Sequence, residues 1–145
     1  MFKFSLQTVL DVRVRFEKIK YKEYTTELLA YQKIENQCAA VESKREQARQ
    51  NAESAKHSSP SPVPFMMNES YQKRLKGDLV RLRQKLNEQK EAVDLKRKEL
   101  VEARRSHKAL EILKEKEISR YRQSMERRER AVMDEIAANY HNFHH

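Results

Sequence analysis

Residues 75–121 read LKGDLVRLRQKLNEQKEAVDLKRKELVEARRSHKALEILKEKEISRY. Steps of four and three alternate without a slip through Leu75, Leu79, Leu82, Leu86, Gln89, Val93, Lys96, Leu100, Ala103, His107, Leu110, Lys114, Glu117 and Tyr121. A straight helix returns to the same face every 3.6 residues. A strict seven-residue repeat therefore keeps one face in register only if the helix supercoils, left-handed, around a partner. Gln89, Lys96, His107, Lys114 and Glu117 interrupt the apolar seam. Polar residues there cost stability but fix register and the number of strands.

Upstream, the partner is in the same chain. The 145 residues contain one glycine, Gly77, and three prolines, Pro60, Pro62 and Pro64. Turns need Gly and Pro, so turning is strongly signalled at one place only, SSPSPVPFMMN, residues 58–68. The residue before each proline is pushed toward extended backbone, so this stretch reads as a connector that helix does not cross. Phe65, Met66 and Met67 sit at its end, either folded back over the hairpin or exposed as a contact. Ser5, ahead of Leu6, Val9 and Leu10, reads as the start of a first helix, with Phe2 and Phe4 stapling that end. Its stripe runs Leu6, Val9, Arg13, Phe16, blurs near Lys20 and Glu23, and resumes as Leu28, Tyr31, Ile34, Cys38, Val41, Arg45, Ala48 and Ala52.

The expected fold is all-α: a single domain over residues 1–145, two long helices forming an antiparallel coiled-coil hairpin. The first helix spans about residues 5–57 and the second about 69–139. At 1.5 Å per residue these are about 80 Å and about 105 Å long. The second outruns the first, so residues from about 124 onward should overhang. Met125, Val132, Met133, Ile136 and Tyr140 keep apolar positions there.

Charged residues make up 37% of the chain, with a net charge of +9. Such a balance favours acidic partners. Residues 1–57 carry 11 basic and 8 acidic side chains, and residues 69–145 carry 20 and 14. The two signs interleave, as on a solvated coiled-coil exterior, whereas a nucleic-acid stripe is more one-sided; no nucleic-acid partner is expected. Cys38 is alone and on the apolar stripe, a small core residue in a reducing compartment. No apolar run reaches transmembrane length, and MFKFSLQTVL is too short and interrupted for a signal peptide, so a cytoplasmic protein is expected.

Catalytic chemistry has nowhere to reside. One glycine cannot build a phosphate-binding loop, and a two-helix coil offers no cavity to perturb its carboxylates. His141 and His144, three apart with His145 adjacent, lack a Cys or acidic co-ligand; a frayed terminus is the reading preferred to a metal site. His107 reads as a seam histidine. No enzyme activity, cofactor or metal is expected. The surfaces remain: the hairpin ends, the overhang and the Leu stripe early in the second helix.

Two stretches resemble a known family. The opening FKFSLQTVLDVRVRFEKI resembles the start of the FliJ family of bacterial flagellar export proteins, through Phe2, Phe4, Leu6, Val9, Leu10, Arg13 and Glu17. The later ARRSHKALEILKEKEISRYRQSMERRERAVMDEIA is similar to the family's C-terminal pattern at Lys108, Leu110, Glu111, Leu113, Lys114, Glu115, Tyr121, Arg128, Glu129, Asp134 and Glu135. The proline-rich connector departs from the plainer link of many relatives. The resemblance implies a non-enzymatic, stalk-like coiled coil that inserts its terminus-bearing end into the hexameric flagellar export ATPase. It also implies contacts with the membrane export-gate subunit and with export chaperones, and a cytoplasmic protein peripherally associated with the inner membrane. Carried over, Leu6, Val9, Leu10, Arg13, Arg128, Glu129, Asp134 and Glu135 would face the ring. Leu75, Leu79, Leu82 and Leu86 have the spacing of the family's gate contact, although the same leucines also read as packing against the first helix. The alternatives are the stalk protein of a virulence type III secretion system, or a basic coiled coil that binds nucleic acid or serves as a scaffold.

Overall fold

The computed structural model describes residues 1–58 and 61–144. Ser59, Pro60 and His145, which belong to the expected connector and the terminal histidine cluster, lie outside the described residues. Two helices, α1 (Gln7–Ser58) and α2 (Val63–Phe143), pack against each other as a hairpin, with no strand among the described residues. The fold is all-α.

α1 starts two residues later than expected. The Leu10 N–H donates to the Leu6 carbonyl at 2.9 Å, and the Gln7 N–H donates to Phe4 O at 3.1 Å. α2 starts at Val63, well before the expected residue 69. The first four N–H groups of any helix lack an intrahelical partner. Pro64 falls among them, so its missing N–H costs nothing and its fixed φ suits the turn. The Ser61 hydroxyl accepts from the Val63 N–H at 3.4 Å, and the Met66 N–H donates to the Pro62 carbonyl at 3.0 Å. Val63, Phe65, Met66 and Met67 thus form an exposed first helical turn. Lys56 Nζ lies 5.8 Å from the centroid of the Phe65 ring.

Packing divides the chain into two units: Lys20–Leu100, and Met1–Ile19 with Val101–His145. Lys20–Leu100 contains the turn. Its seam is the one expected: Leu75, Leu79, Val93 and Leu100 from α2 are buried, as are Cys38 and Ala48 from α1. Leu28, Tyr31, Ile34, Val41, Arg45 and Ala52 are half-buried on the same stripe of α1. Toward the turn the stripe narrows to Ala48 and Ala52, and the Asn68 side-chain amide donates to the Ala48 carbonyl at 3.1 Å. Gln89 donates to the Glu27 carbonyl at 2.9 Å. Four charges form one further layer. Lys96 reaches Glu23 and Glu99 at 3.2 Å each, and Lys20 reaches the same two carboxylates at 3.3 Å.

In the other unit the α2 seam is again as expected, through Ala103, His107, Leu110, Lys114, Glu117 and Tyr121, all buried or half-buried. The α1 side differs from expectation. Leu6, Val9 and Phe16 are 36%, 41% and 42% exposed, and Arg13 is exposed. The seam instead takes Phe4, Gln7, Leu10, Val14 and Glu17. α2 presents polar groups here, and α1 turns its polar members toward them. Lys114 Nζ donates to Gln7 Oε1 at 2.8 Å, and His107 Nδ1 lies 2.5 Å from Glu17. An unpaired buried polar group costs more than an exposed aliphatic one, so polar matching decides the face. The Phe2 ring packs on Tyr121 at 5.6 Å between centroids, closing the seam.

Candidate functional site

Beyond Tyr121, every described residue from Arg122 to His144 is exposed, yet α2 stays helical to Phe143. Residues 122–143 contain no glycine or proline, and the pair Glu126 and Arg130 has the i,i+4 spacing that favours helix. An apolar row, Met125, Val132, Ile136, Tyr140 and Phe143, runs along this segment one residue out of the seam's phase, without α1 to cover it. Met125, Arg128, Glu129, Val132 and Met133 line a shallow groove on that face. Arg128, Glu129, Asp134 and Glu135 are all exposed on this segment, as expected for a contact surface.

A second exposed apolar row lies on α1 in the same unit. Val9, Val12, Phe16 and Ile19, spaced three, four and three, are 41–56% exposed. Val12 and Ile19 were missed as surface residues because the sequence reading spent Val9 and Phe16 on the seam; their spacing was visible. Of the residues carried over from the family pattern, Leu6, Val9 and Arg13 are exposed, but Leu10 is buried. Leu10 supports the surface from beneath. The two carried-over groups do not form one continuous patch. Phe2 marks the level of Tyr121 on α2, and Arg128 lies seven residues, about 10 Å, further along the helix.

Near the seam, charge is largely engaged. Glu17 takes Arg104 at 3.4 Å as well as His107, and His107 Nε2 lies 2.8 Å from Glu111. In Lys20–Leu100, hydrogen bonds from Lys96 and then Lys20 hold the Glu23 and Glu99 carboxyls below the usual carboxylate range. The same bonds raise both lysines above their ordinary value. Arg83 reaches Glu42 at 3.0 Å, and Arg81 pairs with Asp78.

Leu75 and Leu79, expected at a gate contact, are 5% and 2% exposed. Leu82 and Leu86 are half-buried at the seam edge. Cys38 is buried. His141 and His144 are both on the overhang; His144 stacks on Tyr140 and its Nδ1 lies 3.0 Å from the Tyr140 carbonyl. Among the described residues, no group of three His, Cys, Asp or Glu side chains is placed to hold a metal, and no helix is long and apolar enough to cross a membrane.

A helical hairpin whose longer arm carries an uncovered apolar row defines a class of protein that works through helix faces. Residues 2–143 match the family described as flagellar FliJ protein, and the chain belongs to that family. It is thus a component related to flagellar, type III protein export, in a family that is non-catalytic. No curated protein and no solved structure matches the chain.

Proposed function

We propose that this chain is the stalk of a flagellar export apparatus: its terminus-bearing end enters the export ATPase hexamer, and the hairpin links that ring to the export gate and to export chaperones. The observation that carries this reading is the overhang. A helix of some 22 residues with an apolar row and mixed charges, uncovered by α1, is what a helix-in-groove partner recognises. A single asymmetric helix inside a symmetric ring makes its subunits inequivalent. It thereby biases nucleotide turnover with no nucleotide site of its own. Leu6, Val9 and Arg13 supply a second surface in the same unit, with Leu10 as support. The working location is the cytoplasmic side of the inner membrane, held there by the apparatus.

The gate contact is proposed on the Leu75–Leu86 stripe, through the half-buried edges of Leu82 and Leu86. Leu75 and Leu79 hold α1 behind them, so their use would require the helices to part.

The test is ATP turnover by the cognate flagellar export ATPase, with and without this chain. Stimulation with ring assembly is expected, and Arg13→Glu with Arg128→Glu should weaken it while helicity stays intact. Unchanged stimulation by the folded double variant would sink the assignment of these residues. No binding by a helical wild-type chain would sink the stalk reading.

A further inference from the structure

The overhang carries a pattern that its proposed ring contact does not require. On a helical projection Met125, Val132, Ile136 and Phe143 fall on one line, with Arg128 and Tyr140 on either side. Val132 is 53% and Ile136 57% exposed. The sequence of this row is close to palindromic. If two copies of the segment cross head to tail, with Val132 of each opposite Ile136 of the other, Met125 meets Phe143. Every member of that line then has an apolar partner.

Charge points the same way. Residues 122–133 carry four arginines and two glutamates; residues 134–143 carry only Asp134 and Glu135 as charged groups, apart from His141. The segment is positive in its first half and negative in its second. A parallel overlap would set the positive half of one copy along the positive half of the other. The antiparallel one sets the positive half against the negative half, with Arg128 on the same flank as Glu135 of the second copy, about 7 Å along the axis.

We propose that a second copy of this chain docks antiparallel on residues 122–143, along the line of Met125, Val132, Ile136 and Phe143. The overlap spans about 33 Å. It is at the small end of specific interfaces, so the dimer forms at micromolar rather than nanomolar concentration. It covers Arg128 and Glu135, so self-association and any other docking on the overhang exclude each other. The inference does not depend on what that other partner is.

Sedimentation equilibrium of the full chain over a concentration series tests it. A reversible monomer–dimer equilibrium is expected. Val132→Glu, on an exposed helix face where the hairpin cannot be disrupted, should weaken the dimer about a hundredfold. Arg128→Glu and Glu135→Arg should each weaken it about fivefold, and the double exchange should restore it. Disulfide trapping fixes direction: Met125→Cys mixed with Phe143→Cys should cross-link, and Met125→Cys alone should not. A chain monomeric throughout, a dimer indifferent to Val132→Glu, or cross-linking of Met125→Cys alone would each overturn the proposal.

Discussion

Near the turn, α1 and α2 meet through Leu75, Leu79, Cys38 and Ala48; toward the termini they meet through Lys114 with Gln7 and His107 with Glu17. The same heptad on α2 runs through both regions. What differs is what α1 offers it. In the turn-proximal region α1 turns its apolar stripe inward and leaves Tyr21 and Leu29 outside. In the terminal region α1 turns Gln7 and Glu17 inward and leaves Val9, Val12, Phe16 and Ile19 outside. One region is held by apolar burial. The other gives up some of that burial, and the displaced apolar residues become an exposed surface on α1. The difference teaches that a coiled coil assigns its faces by matching, layer by layer, and that mismatch between hydrophobicity and matching is where binding surface appears.

The largest expected effect separates burial from exposure. Leu79→Ala should cost about 3 kcal/mol in unfolding free energy, because it removes the most buried large side chain and leaves a void. Val132→Ala should cost less than about 0.5 kcal/mol, because nothing packs on it in the monomer. Urea titration followed by far-UV circular dichroism, at protein concentrations below self-association, measures both. Equal losses would break the comparison.

A smaller effect probes polar matching. Glu17→Leu alone should cost about 1 kcal/mol, since His107 and Arg104 lose a shared carboxylate. Adding His107→Leu should return stability to wild type or above, because a well-packed apolar pair replaces a polar one without leaving an orphan. The coupling between the two sites, about 1 kcal/mol, is read from the four-variant cycle in the same titration. Additive losses would mean that matching does not set the α1 face here.

How much of this was legible follows from the same contrast. The α2 seam could be read in full from Leu75 to Tyr121 because its period is strict and its polar members keep phase. The overhang followed from helix lengths alone. The α1 face near the termini was misread because two candidate rows lie one residue apart, and the more apolar row was chosen. Only Lys114 and His107, across the seam, favour Gln7 and Glu17, and that information is non-local. The start of α2 was misplaced because a proline in the first helical turn costs nothing, whereas the same proline inside a helix breaks it. Among site residues, exposure of Arg128, Glu129, Asp134 and Glu135 was foreseeable from the helix lengths, whereas exposure of Arg13, placed on the seam stripe, was not. Burial of Leu10 was not, because it depended on that one-residue choice.

Gly77→Ala addresses the outer face of the turn-proximal region. A Cβ at Gly77 meets nothing within 4 Å, and its φ is not positive. Glycine inside a helix is unfavourable relative to alanine by about 0.5–1 kcal/mol, so this substitution should raise stability by about that amount. The gain should appear in thermal unfolding without any change in ATPase stimulation. No gain would mean that the helix is already frayed or strained at this point.

The smallest effect concerns the charged layer within the turn-proximal seam. Glu23 and Glu99 are held below the ordinary carboxylate value of 4.5, first by the hydrogen bond from Lys96 and then by that from Lys20. In the unfolded chain they regain the ordinary value and bind protons more readily than the folded state does. Their stabilisation is therefore complete above about pH 4.5 and is lost as pH falls through the depressed folded values. Lys20 and Lys96 are raised above 10.5, mainly through their bonds to Glu23, so their contribution is complete below pH 10.5 and is lost as pH rises through the raised values. Melting temperature should be flat between these limits and fall on both sides. Glu23→Gln with Glu99→Gln should lower it slightly at neutral pH and make the acid fall shallower, since all four groups remain partly in water. An acid limb of unchanged steepness in that variant would assign the acid sensitivity to carboxylates elsewhere, and the quartet would be a device of register rather than of stability.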